Sequence, residues 1–458
     1  MKPRTKARSR RPLPPREIAL QILVAAESRS AYSDRLLESR LREANLPPRD
    51  AALVVALVQG TLRYRGLLDH HLAAFLGPRW DGLPLWIRQS LRLGAFQLLV
   101  LTRVPRSAAV DESVKLAKKY GHPGTAGLVN AVLRRLAGDD RAPLPDRNEN
   151  PVDYLATAHS HPRWLVERWL ERYGFEDTER LLQANNAEPR VSVRASRRMS
   201  PSQPSLADAL HAEGHATEPG KNGGLVLRVD AGFVAARSPL FRSGALSLQD
   251  EAEAAVVPIL DPRPGDLALD AAAAPGGKGS QIAEAVRPNG ALVALERHWS
   301  RAKALRANLT ERLGLERAWT VCGDAATPPL RGPFDRVLVD APCSGLGVIG
   351  RRADARWRKE PKAIDQMAAL QIQLLEGVAP LVRPGGVVVY SVCSLEPEEN
   401  EAIVTRFLSR HTEFSVDDAR PFLPPAFRGD DSFFRALPHV HGTDGVFAAR
   451  LVRSGVKS

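Results

Sequence analysis

The chain has 458 residues, 44% of them hydrophobic, and a formal net charge of +12. That length allows about three domains, and no apolar run approaches the ~18 residues of a membrane helix. Three cysteines (Cys322, Cys343, Cys393), odd in number and without a CxxC pair, argue against a disulfide framework and against a structural metal site. The positive charge favours a polyanionic partner, nucleic acid first, with a general bias to Arg as the plain alternative.

Residues 1–15 read as a disordered basic arm able to touch RNA phosphates; seven Lys or Arg and no acid fall in the first sixteen positions. No signal-peptide apolar segment follows, so a soluble cytoplasmic protein is expected. From 16 to 140, runs such as IALQILVAA, LRLGAFQLLVL and GLVNAVLRRLA carry a helical period, broken by Pro and Gly. An all-α domain of five to seven helices is predicted. GDDRAPLPDRNENP (138–151) reads as a linker. Residues 141–240 then hold linker helices and a small α+β subdomain, with strands in PRVSVRAS and GGLVLRVD around the helix SLADALHAEG. His159 and His161 read as a solvated helix start, and Trp164 and Trp169 as packing residues.

From 241 to 458 strands and helices alternate. LALDAA (267–272), ALVALE (291–296), AWTVCGD (318–324), FDRVLVDAP (334–342) and GVVVYSVCS (386–394) are the predicted strands. Alternation of this kind predicts a parallel sheet covered on both faces, with ligands at the carboxyl ends of its strands. The first strand runs into the turn APGGKG, where Gly276 and Gly277 let backbone approach a ligand as a helix begins. Glu296 ends the second strand, where an acid can take two ribose hydroxyls; Asp324 and Asp340 end the next two. The turn has neither the P-loop pattern nor GxGxxG. Two adjacent glycines with acids ending successive strands suit S-adenosylmethionine; glycines serving sterics alone are the bland alternative.

Cys343 lies just past the fourth strand and Cys393 just past the fifth, so both thiols can face one cleft. Cys322 lies within a strand and reads as a buried apolar residue. Carbon 5 of a pyrimidine is a poor nucleophile until a thiolate adds at carbon 6, which makes a cysteine useful to a methyl-transfer enzyme. Cys393 is the candidate nucleophile, and Asp340 is placed to stabilise the adduct near ring nitrogen 3. Arg351, Arg352, Arg356 and Arg358 follow the DAPC loop and read as phosphate contacts, against a plain exposed charged face. A pyrimidine base must be unstacked to reach a thiol, so a loop or single strand is the expected substrate.

DAPCSGLGVIGRR (340–352), YSVCSLEPEEN (390–400) and AAPGGKG (273–279) resemble the RNA cytosine-5 methyltransferases. VPRSAAVDESVKLAKKYG (104–121) with GLVNAVLRRL (127–136) resembles the NusB-like domain joined to such enzymes in the RsmB/Sun (Fmu) family. The resemblance covers nearly the whole chain. It implies a multidomain protein: an all-α NusB-like domain, a small α+β (RRM-like) subdomain, and a C-terminal α/β Rossmann-like methyltransferase domain using S-adenosylmethionine. It implies Cys393 as nucleophile and Cys343 in product release. Ala272, Ala273, Ala274, Pro275, Gly276, Gly277 and Lys278 would wrap the donor's methionine part, with Lys278 also facing the reaction. Glu296 would hold the ribose, Asp324 the adenine side, and Asp340 the target base and the donor's methionine end. The implied substrate is one loop cytosine of small-subunit ribosomal RNA; a monomer, with no membrane and no structural metal, is expected. An RNA-binding assembly or antitermination module with a relic catalytic domain is the alternative from another class. A nicotinamide oxidoreductase is disfavoured by the absent GxGxxG.

Overall fold

The computed structural model describes residues 13–28, 32–196, 203–220, 226–230 and 232–455; residues 1–12 of the basic arm lie outside them. Residues 1–186 with 352–358 form one compact unit, and residues 187–351 with 359–458 form a second.

Among its described residues the first unit is helical: α1 Pro15–Ser28, α2 Ser33–Ala44, α3 Pro48–Arg63, α4 Arg65–Leu76, α5 Leu85–Leu99, α6 Arg106–Tyr120, α7 Pro123–Ala137, α8 Pro151–Ala158 and α9 Arg163–Asn186. The apolar positions read at helical spacing, among them Ile22, Leu23, Leu91, Phe96, Val132 and Leu133, meet in one core. Each such side chain contributes ~1.5–3 kcal/mol on burial. Two glycines set the helix spacing. A Cβ at Gly60 would overlap the Phe96 ring, and one at Gly94 would lie 2.4 Å from Leu133 Cδ1.

Residues 352–358 complete this unit and correct the reading of Arg356 as a phosphate contact. Ala353 is in its core. Asp354 Oδ2 accepts from the Ser33 amide at 3.0 Å, and Trp357 Nε1 donates to Leu62 O at 2.8 Å. Arg356 is fully buried and donates to Asn186 Oδ1 (2.7 Å), Asn185 O (3.0 Å) and Ser160 O (3.3 Å). Burial, with Arg63 adding repulsion, pushes its pKa down to about 9. Arg358 donates to Ala26 O at 2.8 Å, while Arg352 is exposed. His161 is likewise buried, not solvated: its Nδ1 donates to His159 O at 2.7 Å. Burial and the nearby Arg356 charge hold its pKa well below the usual range. Trp169 packs inside the unit as expected.

The second unit carries two sheets. The smaller is built from β1 Val191–Ala195, α10 Gln203–Ala212, β2 Thr217–Pro219, β3 Val226–Val229, α11 Pro239–Arg242 and β4 Leu246–Leu248, with antiparallel strand order β2-β3-β1-β4. Val193, Leu206, Leu210, Leu227 and Leu246 form its core.

The larger sheet follows from α12 Glu251–Leu260, β5 Leu267–Asp270, α13 Gly277–Ala285, β6 Ala291–Glu296, α14 Trp299–Arg306, β7 Ala318–Cys322, β8 Phe334–Asp340, α15 Lys362–Val378, β9 Val382–Val392, α16 Glu401–Leu408, β10 Phe414–Asp417, β11 Phe434–Ala436, α17 Pro438–His441 and β12 Val446–Arg453. Its order is β10-β12-β9-β8-β5-β6-β7, with β11 paired to β12. The five strands from β7 to β9 are parallel, whereas β12 runs antiparallel to β9, β10 and β11. The sheet is therefore mixed, not wholly parallel: the returning β12 seals the edge of β9 with a run of buried residues. Cys322 is exposed, not buried, because β7 is the last strand at the other edge. The chain passes from β5 to β6 and β7 on one side and to β8 and β9 on the other. That reversal at the β5/β8 boundary is where such sheets open a crevice at their carboxyl ends.

Candidate functional site

Register places the two thiols side by side. Asp340, last in β8, pairs with Ser391 of β9, so the turns after both strands leave the sheet together. Cys343 and Cys393, both half-buried, have their Sγ atoms 3.0 Å apart in a thiol–thiol hydrogen bond. That bond, then burial, then the neighbouring Cys343 and Asp340 hold the Cys393 thiol well above its usual pKa, with Lys278 pulling the other way. In this state Cys393 is a neutral thiol that must give up a proton before it attacks.

Lys278, in the first turn of α13, is buried. Its Nζ lies 2.8 Å from Asp340 Oδ1 and also pairs with Glu253 of α12. The preceding turn is fixed from below: Arg301 donates to Ala274 O at 2.9 Å and Asn308 Nδ2 to Pro275 O at 2.8 Å. Gly276 adopts φ +104°, a conformation glycine takes without strain. A Cβ at Gly277 would meet nothing within 4 Å.

A cavity of about 400 Å³ opens at this turn. Ala272, Ala273, Ala274, Pro275, Gly277, Lys278 and Asp340 line it, together with Asp250, Glu253, Asp270, Arg351 and Asp444. Gly276, Glu296, Asp324, Cys343 and Cys393 do not. Glu296 is buried at the end of β6, where Oε1 accepts from the His298 amide at 2.9 Å. Asp324 accepts from the Ala326 amide at 2.9 Å and lies 3.3 Å from Arg297 Nε.

Three features were not legible beforehand. Asp270 ends β5 inside the cavity wall, with Oδ1 lacking a hydrogen-bond partner among the described residues. Burial, then the Asp340 charge, push its pKa up to about 8. Arg351 is not free for phosphate: it bridges Asp250 (2.7 Å) and Asp444 (2.8 Å). Glu253 follows the cap Asp250, whose side chain accepts from the Ala252 amide; an acid in the first turn of a helix is too common to mark it. Carboxylates outnumber cations around the cavity, so it favours a positively charged guest.

The reversal point, the glycine turn and the acids ending successive parallel strands define a Rossmann-like methyltransferase domain. Comparison with known proteins makes this particular. Residues 257–452 match the model of the 16S rRNA methyltransferase RsmB/F family, residues 13–138 the NusB family, and residues 161–233 the RsmF/B-like ferredoxin-like domain. A Bacillus subtilis protein named probable ribosomal RNA small subunit methyltransferase B is 36% identical over 96% of this chain and 99% of its own length. A putative methyltransferase of Mycobacterium tuberculosis is 35% identical over 99% of this chain and all of its own. The crystal structure of PH0851 superposes with a TM-score of 0.81 at 26% identity, over 96% of this chain and 99% of that one. The chain belongs to the RsmB/F family of 16S rRNA methyltransferases. The fold expected from sequence stands: a NusB-like helical domain, a ferredoxin-like α+β domain and a C-terminal Rossmann-like domain. Among the described residues no single helix is long and apolar enough to cross a membrane.

Proposed function

We propose that this chain transfers a methyl group from S-adenosylmethionine to carbon 5 of a cytosine in small-subunit ribosomal RNA, through a covalent adduct at Cys393. The observation that carries the reading is the pair of thiols 3.0 Å apart beyond neighbouring strands, with the Lys278–Asp340 pair ending the same sheet. The names of the family and of its relatives supply the class of RNA.

The residues present fit the donor. Gly277 faces open space, Asp270 offers an unpartnered oxygen, and the excess of carboxylates suits a sulfonium cation. When bound, that sulfonium supplies an electrophilic methyl group. The turn from Ala272 to Lys278 would hold its methionine part, Glu296 its ribose and Asp324 its adenine side. Cys393 adds to carbon 6 as its proton ends on ring nitrogen 3, making carbon 5 enamine-like. Asp340, with the Lys278 ammonium against it, meets the polar edge of the base and accepts a hydrogen bond from ring nitrogen 3, which takes up a proton as carbon 6 is attacked. After transfer, Cys343 assists removal of the carbon 5 proton, and Cys393 leaves as the double bond reforms. An unstacked loop cytosine is the substrate such a site can reach. A monomer working in the cytoplasm, where ribosomal RNA is available, completes the reading.

The test incubates the full chain with methyl-labelled donor and unmodified ribosomal RNA. Label is expected as 5-methylcytosine, absent with Cys393→Ala, and Cys343→Ala is expected to accumulate an RNA–protein adduct stable on denaturing gels. Transfer that survives Cys393→Ala overturns the assigned nucleophile. Intact RNA binding without any transfer moves the reading to a relic binding module.

A further inference from the structure

The two thiols sit on separate turns, and one buried carboxylate joins those turns. Glu399 has no exposed surface. Its Oε1 accepts from the Ser344 amide at 2.7 Å and from Gln371 Nε2 at 3.0 Å. Its Oε2 accepts from the hydroxyls of both Ser344 and Ser394. Ser344 and Ser394 are the residues that immediately follow Cys343 and Cys393. Gln371 also donates to Pro342 O at 3.0 Å, which fixes the first turn from its other side. Tyr390 OH donates to Glu399 O at 2.6 Å, tying the carboxylate's own backbone to β9.

We infer that Glu399 is a positioning residue, which sets the separation and orientation of Cys343 and Cys393 by serving as the shared acceptor of both thiol-bearing turns. A carboxylate suits this task because it offers about four lone-pair sites and no competing donor. Hydrogen bonds to an ionic acceptor are also stronger than neutral ones. Without it, the buried Ser344 amide and two buried hydroxyls lose their common partner, and the turns keep only the thiol pair itself, the 3.3 Å contact between the Ser344 and Ser394 hydroxyls and the Gly347 amide on Cys393 O. A displacement of ~1 Å at reacting groups can cost about 10²-fold in rate. The catalytic consequence rests on the function proposed above; the geometric claim does not.

The test therefore reads thiol geometry separately from methyl transfer. In a Cys322→Ser background, which removes the exposed third thiol, the full chain is treated with diamide. The two thiols become one disulfide and the diamide takes up both hydrogens as its hydrazine. Relative to the parent, Glu399→Ala should slow this oxidation at least tenfold under native conditions and leave it unchanged in denaturant. It should lower kcat for methyl transfer by about 10²-fold with donor KM held. Glu399→Gln keeps one acceptor oxygen and lets both hydroxyls rotate to accept, so it should restore most of the oxidation rate. Native oxidation at the parental rate in folded Glu399→Ala overturns the inference. If Glu399→Ala does not fold, the Ser344→Ala/Ser394→Ala double variant takes its place, and a parental rate there overturns it equally. Slowed oxidation in the variants while the parent methylates no cytosine supports the positioning role and refutes the proposed function alone.

Discussion

Asp270 gives a measurement that depends on folded geometry alone. Its carboxyl titrates near 8 in the fold against 3.8 for an unperturbed Asp. Burial is the first cause, and the Asp340 charge adds to it. Below about pH 4 the group is protonated in both folded and unfolded chains and contributes no pH dependence. As pH rises from about 4 to 8 the unfolded chain loses this proton while the folded chain keeps it. Stability therefore falls across that window, and it levels off once the folded group ionises. Four units at about 1.4 kcal/mol each set a ceiling on the order of 5 kcal/mol. Asp270→Asn keeps the shape and removes the proton. The quantity to measure is the difference in stability between wild type and Asp270→Asn in parallel denaturant titrations from pH 4 to 9; other groups cancel in that difference. Asp270→Asn should gain on wild type with rising pH by at least ~2 kcal/mol between pH 5 and 8. Parallel curves across that range would refute the assignment of a buried neutral carboxyl.

Donor affinity should follow the same group: ionising Asp270 adds a negative charge to the cavity, so titration calorimetry with S-adenosylmethionine should show tighter binding from pH 6 to 9 in wild type than in Asp270→Asn. Gly277→Val should fold normally, since its side chain enters open space, yet weaken donor binding tenfold or more. Arg356→Met leaves Asn186 Oδ1, Asn185 O and Ser160 O without a buried donor; at ~1–3 kcal/mol for each unsatisfied group, a clear fall in Tm is expected. Gly94→Ala forces a methyl against Leu133 and should cost about 1–3 kcal/mol, read in the same melts.

The central strands were legible because parallel strands buried on both faces read as unbroken apolar runs. VLVD and VVVY are such runs and lie within β8 and β9, although β9 begins five residues earlier, at Val382. Strand order and direction are not written in hydrophobic period. VFAARLVR, with two arginines in eight residues, was not among the predicted strands, and only its pairing with β9 reveals that it is one and runs antiparallel. Cys322 was misread for the same reason. Its strand looks like the others, but nothing local says that β7 has β6 on one side and no strand on the other. Arg356 failed differently. Arginines crowded after a loop read as phosphate contacts, yet this one is satisfied by a side-chain amide and carbonyls contributed from residues near 160 and 185.

Within the site, residue type was legible where chemistry demands that type and spacing ties it to a strand end. A thiol just beyond each of two neighbouring strands meets both conditions, and so do the acids that end β5, β6 and β8. Glu399 meets neither. It sits among Glu396, Glu398 and Glu401, and only the fold shows which of these acids turns inward to take both serines. Asp270 shows the limit from the other side. Its position at the strand end was visible, but its protonation depends on how close Asp340 and Glu296 stand and on how little water reaches it. Neutralising that one carboxyl lets the cavity gather several acids around a single lysine and Arg351 without placing a further buried charge against Asp340. The site's charge balance is thus a product of strand order, since β5 and β8 must be neighbours for Asp270 and Asp340 to interact at all.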